Sequence, residues 1–353
     1  MDIRLKRLDE QVVVITGASS GIGLVTARAA ARRGARLVVA SRNAEALDRL
    51  VEELTGQGHE AIRVVADVGR EQDVRAIAQA AIARFGGFDT WVNNAGVSVY
   101  GDLDQVPMQD LRQLFETNFW GAVYGSLAAA EHLKARGGAI INLGSQLSDH
   151  SVPLQGMYCA SKHAVKGFTD ALRMELALAD APVSVTLVKP AGVDTMFVPH
   201  AKNYMDVEPM LPPPIYAPEA VAEAILHAAE RPVRDLFVGG AAKLASVAAR
   251  TAPALFERST RRLMRGLQRS GEPVKDPGKP GNLHAPAPDG AERGSTQGPV
   301  LPASVYTKVA MRVADAGGAA LAVTFGLAAL ALMGARSRPR TLSRAVARAL
   351  PRV

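Results

Sequence analysis

Short runs of Val and Ile alternate with longer helical patterns from residue 12 to residue 240. Seven of these runs predict strands, at 12–16, 35–41, 61–67, 90–96, 139–145, 183–190 and 236–240. Strands separated by helical segments are typical of βαβ units, in which the strands lie parallel. Runs such as VVVI have no polar face, so we expect both faces of the sheet to be covered. The pattern predicts an α/β fold with a doubly wound, seven-stranded parallel sheet and helices on both faces.

A loop interrupts this alternation, and a helix then resumes it. Residues 196–217 contain five Pro and break the rhythm of the pattern. Their length is more typical of a substrate lid than of a plain connection, although an inert irregular loop is the alternative. A helix is predicted at about 218–230, so the predicted catalytic domain covers residues 1–240.

Three segments follow this domain. Residues 241–270 read as an amphipathic C-terminal helical extension interrupted by Pro253. Residues 271–304 are rich in Pro and Gly and poor in large apolar side chains, which predicts a disordered linker. Residues 305–353 hold a hydrophobic segment and an Arg-rich tail.

The hydrophobic segment at 316–335 consists of 20 consecutive uncharged residues. As a helix rising ~1.5 Å per residue it would span roughly 30 Å, about the thickness of a bilayer core. A transmembrane helix is predicted, with a buried or interfacial helix as the alternative because Ala and Gly make the segment weakly apolar. A single span would carry the six Arg of 336–353 across the membrane, against the positive-inside tendency. A hairpin or an in-plane helix would remove that conflict.

Composition and charge narrow the classes of function. The chain is 48% hydrophobic and 21% charged and has one cysteine, which excludes an internal disulfide framework and a Cys-based zinc site; no metal is predicted. The net charge is +7, but the tail at 336–353 supplies six of these charges, so no nucleic-acid partner is predicted. The apolar run after the N-terminus is too short for a signal peptide. We expect a cytoplasmic catalytic domain that is membrane-associated through 316–335.

A glycine-rich turn joins the first strand to an Ala-rich helix. Its GxxxGxG spacing predicts residues that approach a dinucleotide pyrophosphate: Gly17, Ser19, Ser20, Gly21, Ile22 and Gly23. Taken alone, glycines here also serve as ordinary turn residues.

The end of the second strand predicts the type of dinucleotide. An NAD site places a carboxylate there, whereas this chain has Ser41 and Arg42. Because a guanidinium binds a 2′-phosphate, NADP(H) is predicted over NAD; a solvated surface charge is the alternative for Arg42. Asp67 ends the third strand and could accept a hydrogen bond from adenine or cap the next helix.

Tyr158 and Lys162 stand four residues apart, which places both side chains on one face of a helix. A nearby ammonium favours phenolate, so we expect Lys162 to lower the pKa of Tyr158 towards a value useful for proton transfer. An exposed helical pair is the alternative. Ser145 ends the fifth predicted strand, at the sheet edge where ligands bind.

The glycine-rich turn, Asn93-Asn94-Ala95-Gly96, Asn118, Ser145 and the Tyr158–Lys162 pair occur in this order, and the chain closely resembles the short-chain dehydrogenase/reductase family. The resemblance covers about residues 10–240 and implies a Rossmann-like fold. It implies that Tyr158 is the general acid/base, Ser145 orients the substrate and Lys162 binds the nicotinamide ribose. Asn118 would hold a water in the proton relay. Further implied cofactor contacts are Val68, Asn94, Ala95, Gly96, Tyr158, Lys162, Pro190 and Thr195.

The predicted function is therefore an NADP(H)-dependent oxidoreductase that interconverts a carbonyl and a secondary alcohol, with Tyr158 moving the proton. The apolar C-terminal segment and the Pro- and Met-bearing loop favour a hydrophobic small-molecule substrate. Family precedent implies a homodimer or homotetramer. The alternative is a catalytically silent NADP(H)-binding sensor or scaffold protein at a membrane.

Overall fold

The computed structural model describes residues 3–315, except 277, 288, 289, 295 and 297. Seven parallel strands form the central sheet: β1 (Val12–Thr16), β2 (Arg36–Ser41), β3 (Ala61–Val65), β4 (Thr90–Asn93), β5 (Gly138–Leu143), β6 (Val183–Pro190) and β7 (Asp235–Val238). Their order across the sheet is β3-β2-β1-β4-β5-β6-β7. The predicted doubly wound, Rossmann-like α/β fold is confirmed, and each predicted strand is present.

Ten helices accompany the sheet in the described part of the chain: α1 (Gly21–Arg32), α2 (Ala44–Gly56), α3 (Glu71–Phe85), α4 (Met108–Phe115), α5 (Gly121–Leu133), α6 (Gly156–Leu178), α7 (Pro218–Glu230), α8 (Gly240–Thr251), α9 (Pro253–Leu267) and α10 (Val305–Asp315). Between α4 and α5 the chain makes a π-helical turn at Glu116–Trp120. Two short 3₁₀ turns occur at Leu8–Glu10 and Gln146–Ser148.

Alternate residues of β1 face opposite sides of the sheet. Val13 and Ile15 pack in a core with residues of α1, α2 and α7, whereas Val12 and Val14 pack in a second core with residues of α3, α5 and α6. All four side chains are buried. A strand buried on both faces needs apolar residues at every position, which explains the continuous VVVI run.

The segment after the sheet begins with two helices. α8 and α9 meet at Pro253, where the sequence predicts an interruption, and Pro suits the first turn of a helix because its missing N–H has no partner there. Short strands in the 196–217 loop lie at Lys202–Asn203, Val207–Pro209 and Ile215–Tyr216.

The prediction that 271–304 form a disordered linker is wrong for the described residues of that range. Arg269–Pro273 pairs antiparallel with Val207–Pro209, and Val300–Leu301 pairs parallel with Ile215–Tyr216. Leu283 is fully buried. The described residues have little regular structure of their own, but several of their backbone groups pair with strands and side chains of the preceding domain.

The first compact unit of the chain ends at Met311 and not at the predicted boundaries of 240, 270 and 304. The predicted membrane segment at 316–335 and the Arg-rich tail lie outside the described residues. Within the described part of the chain, no helix is both long enough and apolar enough to cross a bilayer.

Candidate active site

The turn between β1 and α1 brings glycine backbone close to neighbouring loops. Gly17 and Gly21 have φ values of 66° and 52°, in the region that favours glycine. A Cβ on Gly23 would lie 2.2 Å from the Gly17 carbonyl oxygen, and a Cβ on Gly17 would lie 2.7 Å from the Cα of Ala95. These positions therefore require glycine, and the turn brings the N-terminus of α1 to the carboxyl edge of the sheet.

A crevice runs along this edge and collects most of the predicted cofactor contacts. Its walls include the predicted residues Gly17, Ser19, Ser20, Gly21, Ile22, Ser41, Arg42, Asp67, Val68, Asn94, Ala95, Gly96 and Thr195. Gly23 does not line it and instead packs α1 against the turn. Asp67 faces the crevice and accepts a 3.0 Å hydrogen bond from the Gly69 N–H, so its carboxylate stabilises the turn before α3.

Arg42 lies at the end of the crevice that follows β2. Its guanidinium donates hydrogen bonds to the backbone carbonyls of Asn282 and Leu283, the latter over 3.2 Å. Burial lowers the pKa of Arg42, and the charge of Asp67 opposes that shift. Arg42 nevertheless remains a cation at neutral pH, because an arginine pKa lies far above 7.

Tyr158, Ser145 and Lys162 come together at the carboxyl ends of β5 and β6. The Ser145 side chain lies close enough to the Tyr158 phenol to lower its pKa, and both residues line the same cavity. The Lys162 Nζ lies 5.7 Å from the centre of the Tyr158 ring and donates a 2.8 Å hydrogen bond to the Leu143 carbonyl. Ser145 is held at the start of the Gln146–Ser148 turn, where its Oγ accepts from the Leu147 N–H at 3.1 Å.

The pKa of Tyr158 does not shift in the predicted direction. Burial raises it well above its ordinary value, and the nearby Ser145 side chain offsets only part of that rise. Lys162 is buried as well, and the loss of solvation lowers its pKa to about 8. The expectation of a Lys162-lowered pKa came from helical spacing, which carries no information about how deeply both groups are buried.

Asn118 occupies the π-helical turn and is buried. Its Oδ1 accepts from the Val97 N–H at 2.8 Å, and its Nδ2 donates to the Val97 carbonyl at 3.0 Å and to the Ser161 Oγ at 3.2 Å. Ser161 in turn donates to the Tyr158 carbonyl at 2.8 Å. The Asn118 side chain therefore fixes the chain after Gly96 and the first turns of α6.

A second cavity, of about 350 Å³, adjoins the crevice and contains Ser145, Tyr158, Lys162 and Pro190 in its walls. Five residues line both spaces: Ile22, Asn94, Gly96, Thr195 and Phe197. The Phe197 ring meets the Tyr158 ring edge-on, with 5.3 Å between the ring centres. A ligand in the crevice and a ligand in the second cavity would therefore meet beside Tyr158.

Sequence reasoning missed several residues of these walls. Thr117, Met196, His200, Asn282, Pro286 and Ala287 also line the crevice. Thr117 directly precedes the predicted site residue Asn118, and that neighbourhood was a sequence signal that could have indicated it. No local pattern marks Asn282 or Ala287, which come from a segment far along the chain.

A buried polar network that sequence reasoning also missed joins α6 to the sheet. Asn142 on β5 accepts from the Asn93 Nδ2 at 2.8 Å and donates to the Thr169 Oγ1 at 2.9 Å. Asn93 further accepts from the Trp91 indole N–H at 2.8 Å. Because Thr169 lies on the helix that carries Tyr158 and Lys162, the network fixes that helix against β4 and β5.

Residues 11–204, more than half of the chain, match the family described as short chain dehydrogenase. The chain belongs to this family. It is 48% identical over 316 residues to the uncharacterized oxidoreductase YxnA of Bacillus subtilis (strain 168), with 88% of each chain covered. It is 32% identical over 266 residues to the putative oxidoreductase SadH of Mycobacterium tuberculosis, covering 72% of this chain and 95% of that one.

Two solved short-chain dehydrogenase folds are similar to this chain. An alcohol dehydrogenase from Thermococcus sibiricus, complexed with 5-hydroxy-NADP, is 27% identical with a TM-score of 0.58, covering 65% of this chain and 95% of that one. A short chain dehydrogenase/reductase from Burkholderia phymatum, in complex with NAD, is 28% identical with a TM-score of 0.63, covering 72% and 96%. The chain is thus an oxidoreductase of the short-chain dehydrogenase family, in which relatives of both dinucleotide types occur.

Proposed function

We propose that this short-chain dehydrogenase uses NADP(H) to interconvert a carbonyl and a secondary alcohol, with Tyr158 as general acid/base. One observation carries the proposal: Tyr158 lines the second cavity together with Ser145 and Lys162, and its ring contacts Phe197, which lines both the cavity and the crevice. A proton donor is needed at the point where a carbonyl substrate would meet the dinucleotide. No other described tyrosine lines either space.

The residues present fit a nicotinamide dinucleotide. The glycine turn allows a ligand to approach the N-terminus of α1 closely, and a helix N-terminus favours an anion. The Thr117 Oγ1 is buried beside the crevice and has no protein partner among the described residues. When bound, the nicotinamide supplies or accepts the hydride. Tyr158 then gives its proton to the substrate oxygen during reduction and takes it back during oxidation. Ser145 hydrogen-bonds the same oxygen and orients it.

Lys162 prepares Tyr158 for this exchange. With a pKa of about 8, Lys162 is mostly an ammonium at neutral pH and favours phenolate after the proton has left. Burial keeps Tyr158 protonated before the reaction, since it raises the phenol pKa. The pair therefore stabilises the protonated phenol at rest and the phenolate only as it forms. Asn118 positions α6 and, in this proposal, also holds a water in the proton relay.

NADP(H) is preferred because the end of β2 offers a cation and no carboxylate. Arg42 lies in the crevice and would pair with a 2′-phosphate there. Asp67 lies farther along, at the end of β3, where it would accept from adenine. Two solved relatives hold different dinucleotides, so the preference rests on the Arg42 side chain of this chain.

The second cavity favours a hydrophobic substrate. Most of its wall is apolar, and its side chains include Leu147, Val152, Phe197, Leu211, Phe256 and Met264. Residues 211–214 of the 196–217 loop lie in the wall, which supports the proposed lid. α8 and α9 complete the wall, and their outward residues Leu244, Leu255 and Leu263 are exposed.

Association with a second copy is part of the proposal. α5 and α6 expose Leu127, Met174 and Leu178. A homodimer or homotetramer formed through these helices would cover them. Membrane association through 316–335 stays a proposal about residues outside the described part of the chain.

A panel of apolar ketones and secondary alcohols tests the proposal, with NADPH and NADP⁺ consumption followed by absorbance. We expect turnover with members of this panel and a higher kcat/KM for NADPH than for NADH. Tight dinucleotide binding without any turnover would favour a catalytically silent sensor or scaffold instead. The joint presence of Ser145, Tyr158 and Lys162 in one cavity argues against that alternative, because a sensor needs no proton donor.

A further inference from the structure

A segment beyond the family-matched residues crosses the mouth of the dinucleotide crevice. It consists of 282–287 and 290–294, hereafter the strap. Asn282, Pro286 and Ala287 line the crevice opposite the glycine turn. The strap therefore forms part of a wall that residues 11–204 leave open.

The first end of the strap is anchored beside the catalytic tyrosine. The Asn282 N–H donates to the His200 carbonyl at 2.8 Å, and His284 Nε2 lies 2.8 Å from the Asp110 carboxylate. Between them, Leu283 is fully buried in the apolar cluster that contains Tyr158. Because burial of an apolar side chain is favourable, Leu283 stabilises this anchor.

The middle of the strap covers the end of β2. Arg42 donates to the carbonyls of Asn282 and Leu283, and the Asn43 Nδ2 donates to the Ala287 carbonyl at 2.6 Å. These are the side chains that would face the adenosine end of a bound dinucleotide. The strap thus orients Arg42 towards the crevice while it closes the outside.

The second end of the strap is fixed at the start of α1. The Ala291 carbonyl accepts from the Gly21 N–H at 3.0 Å, and Glu292 pairs with Arg28 at 2.6 Å. Arg293 pairs with Glu219 at 2.6 Å. The described parts of the strap are therefore held at the end of β2 and at the N-terminus of α1.

The strap also contains an unpaired polar group beside the crevice. Asn282 Oδ1 is buried and accepts no hydrogen bond from any described residue. A buried acceptor without a partner destabilises the protein, and a hydrogen-bond donor on a ligand would remove that cost. An adenine amino group or a ribose hydroxyl is a donor of this kind.

We propose that the strap is the outer wall of the dinucleotide site and gates exchange of the cofactor. Asn282 binds the adenosine half, and the strap must detach from the α1 side before NADP(H) enters or leaves. Cofactor exchange, which each turnover requires, is therefore controlled by this detachment. This inference rests on the proposed NADP(H) binding.

A reversible disulfide provides the direct test. A Cβ on Gly290 would lie 3.3 Å from the Ala46 Cβ, close to the ~3.5–4.5 Å that a disulfide needs. The double variant Ala46→Cys/Gly290→Cys would lock the strap when oxidised. The native Cys159 is buried and does not compete for the pairing. Ala46→Cys alone, treated with the same oxidant, is the control.

NADPH association and dissociation are measured by stopped-flow fluorescence, with dissociation started by excess NADP⁺. We expect the oxidised double variant to exchange NADPH at least about ten-fold more slowly than wild type, and a thiol reductant to restore the wild-type rates. Equal rates in the oxidised and reduced protein would overturn the gate.

An opening variant keeps the inference testable if the disulfide does not form. A Cβ on Gly294 would lie 2.4 Å from the Thr195 carbonyl oxygen, so Gly294→Val pushes the strap away without a change in charge. Gly56→Val is the matched control, because a Cβ there meets nothing within 4 Å. We expect Gly294→Val to accelerate both association and dissociation and Gly56→Val to change neither. Unchanged rates in Gly294→Val contradict the gate while the proposed function stands, whereas failure of wild type and variants to bind NADPH removes both.

Discussion

Lys162 donates a 2.8 Å hydrogen bond from its ammonium to the Leu143 carbonyl, the last residue of β5. The side chain is buried, and the loss of solvation lowers its pKa to about 8 from an ordinary 10.5. The folded protein therefore binds fewer protons at this site than the unfolded chain between those two pH values. Stability contributed by the site rises with pH over that window and is lowest near neutral pH.

Replacement of Lys162 allows the free-energy cost of burying its charge to be measured. Near neutral pH, the free energy of unfolding of Lys162→Met should exceed that of wild type by the largest amount. That advantage should fall by about 3 kcal/mol as the pH rises through 8 to 10.5, since one pKa unit corresponds to ~1.4 kcal/mol. Urea unfolding at a series of pH values measures it. A difference that stays flat with pH for Lys162→Met would contradict a buried cation.

Arg42 is expected to discriminate between the two dinucleotides. Arg42→Gln should weaken NADPH binding by roughly ten- to a hundred-fold, because charge-assisted hydrogen bonds to a phosphate contribute about 1.5–3 kcal/mol. NADH lacks that phosphate and should lose much less affinity. Titration by intrinsic fluorescence gives both dissociation constants, with the exposed Arg33→Gln as control. Equal losses for the two dinucleotides would remove the phosphate role.

Asn282 tests whether the strap contacts the cofactor at all. Asn282→Ala removes the buried acceptor, and we expect the NADPH dissociation constant to rise about ten-fold, as for a lost hydrogen bond of ~1.4 kcal/mol. The Tm without cofactor should stay the same or increase, because the acceptor has no protein partner among the described residues. Weaker binding together with a lower Tm would instead indicate a structural role for the side chain.

The central sheet was predictable because strand patterns are local. Val12–Thr16 and Val183–Pro190 match the predicted strands residue for residue. The run at 90–96 was predicted as one strand, yet β4 ends at Asn93. Asn94 and Gly96 leave the sheet there to line the crevice, and that departure depends on contacts with the Gly17 turn that no local pattern contains.

The types of residue in the site were predictable from the sequence, but the segments that enclose the site were not. The residue spacing and the predicted strand ends indicated Ser145, Tyr158 and Lys162 as candidate site residues. The strap was predicted to be disordered, because a segment rich in Pro and Gly forms neither regular secondary structure nor a core on its own. Its order depends on distant donors such as Asn43 and Arg28, whose partners are backbone carbonyls and one carboxylate. Depth of burial, which raises the pKa of Tyr158, is likewise a tertiary property.

Tyr100 offers a matched comparison for Tyr158, the proposed general acid/base. It is fully buried, and its hydroxyl has no hydrogen-bond partner in the described part of the chain. Tyr100→Phe should therefore keep turnover near the wild-type rate and raise the free energy of unfolding by about 1 kcal/mol, as expected when an unsatisfied buried hydroxyl is removed. Chemical denaturation measures the gain, and a loss of stability would show that the hydroxyl has a partner.

The most direct test of the account is the rate of NADPH oxidation by bound carbonyl substrate in a single turnover, measured for wild type, Tyr158→Phe and Tyr100→Phe. Both variants lose one phenolic oxygen from buried rings in the same region. We expect Tyr158→Phe to slow the step by about 10²–10⁴-fold while NADPH binding is unchanged, because the proton donor is gone. A Tyr158→Phe rate within about ten-fold of wild type, below the range expected for general acid catalysis, would contradict the proposed role.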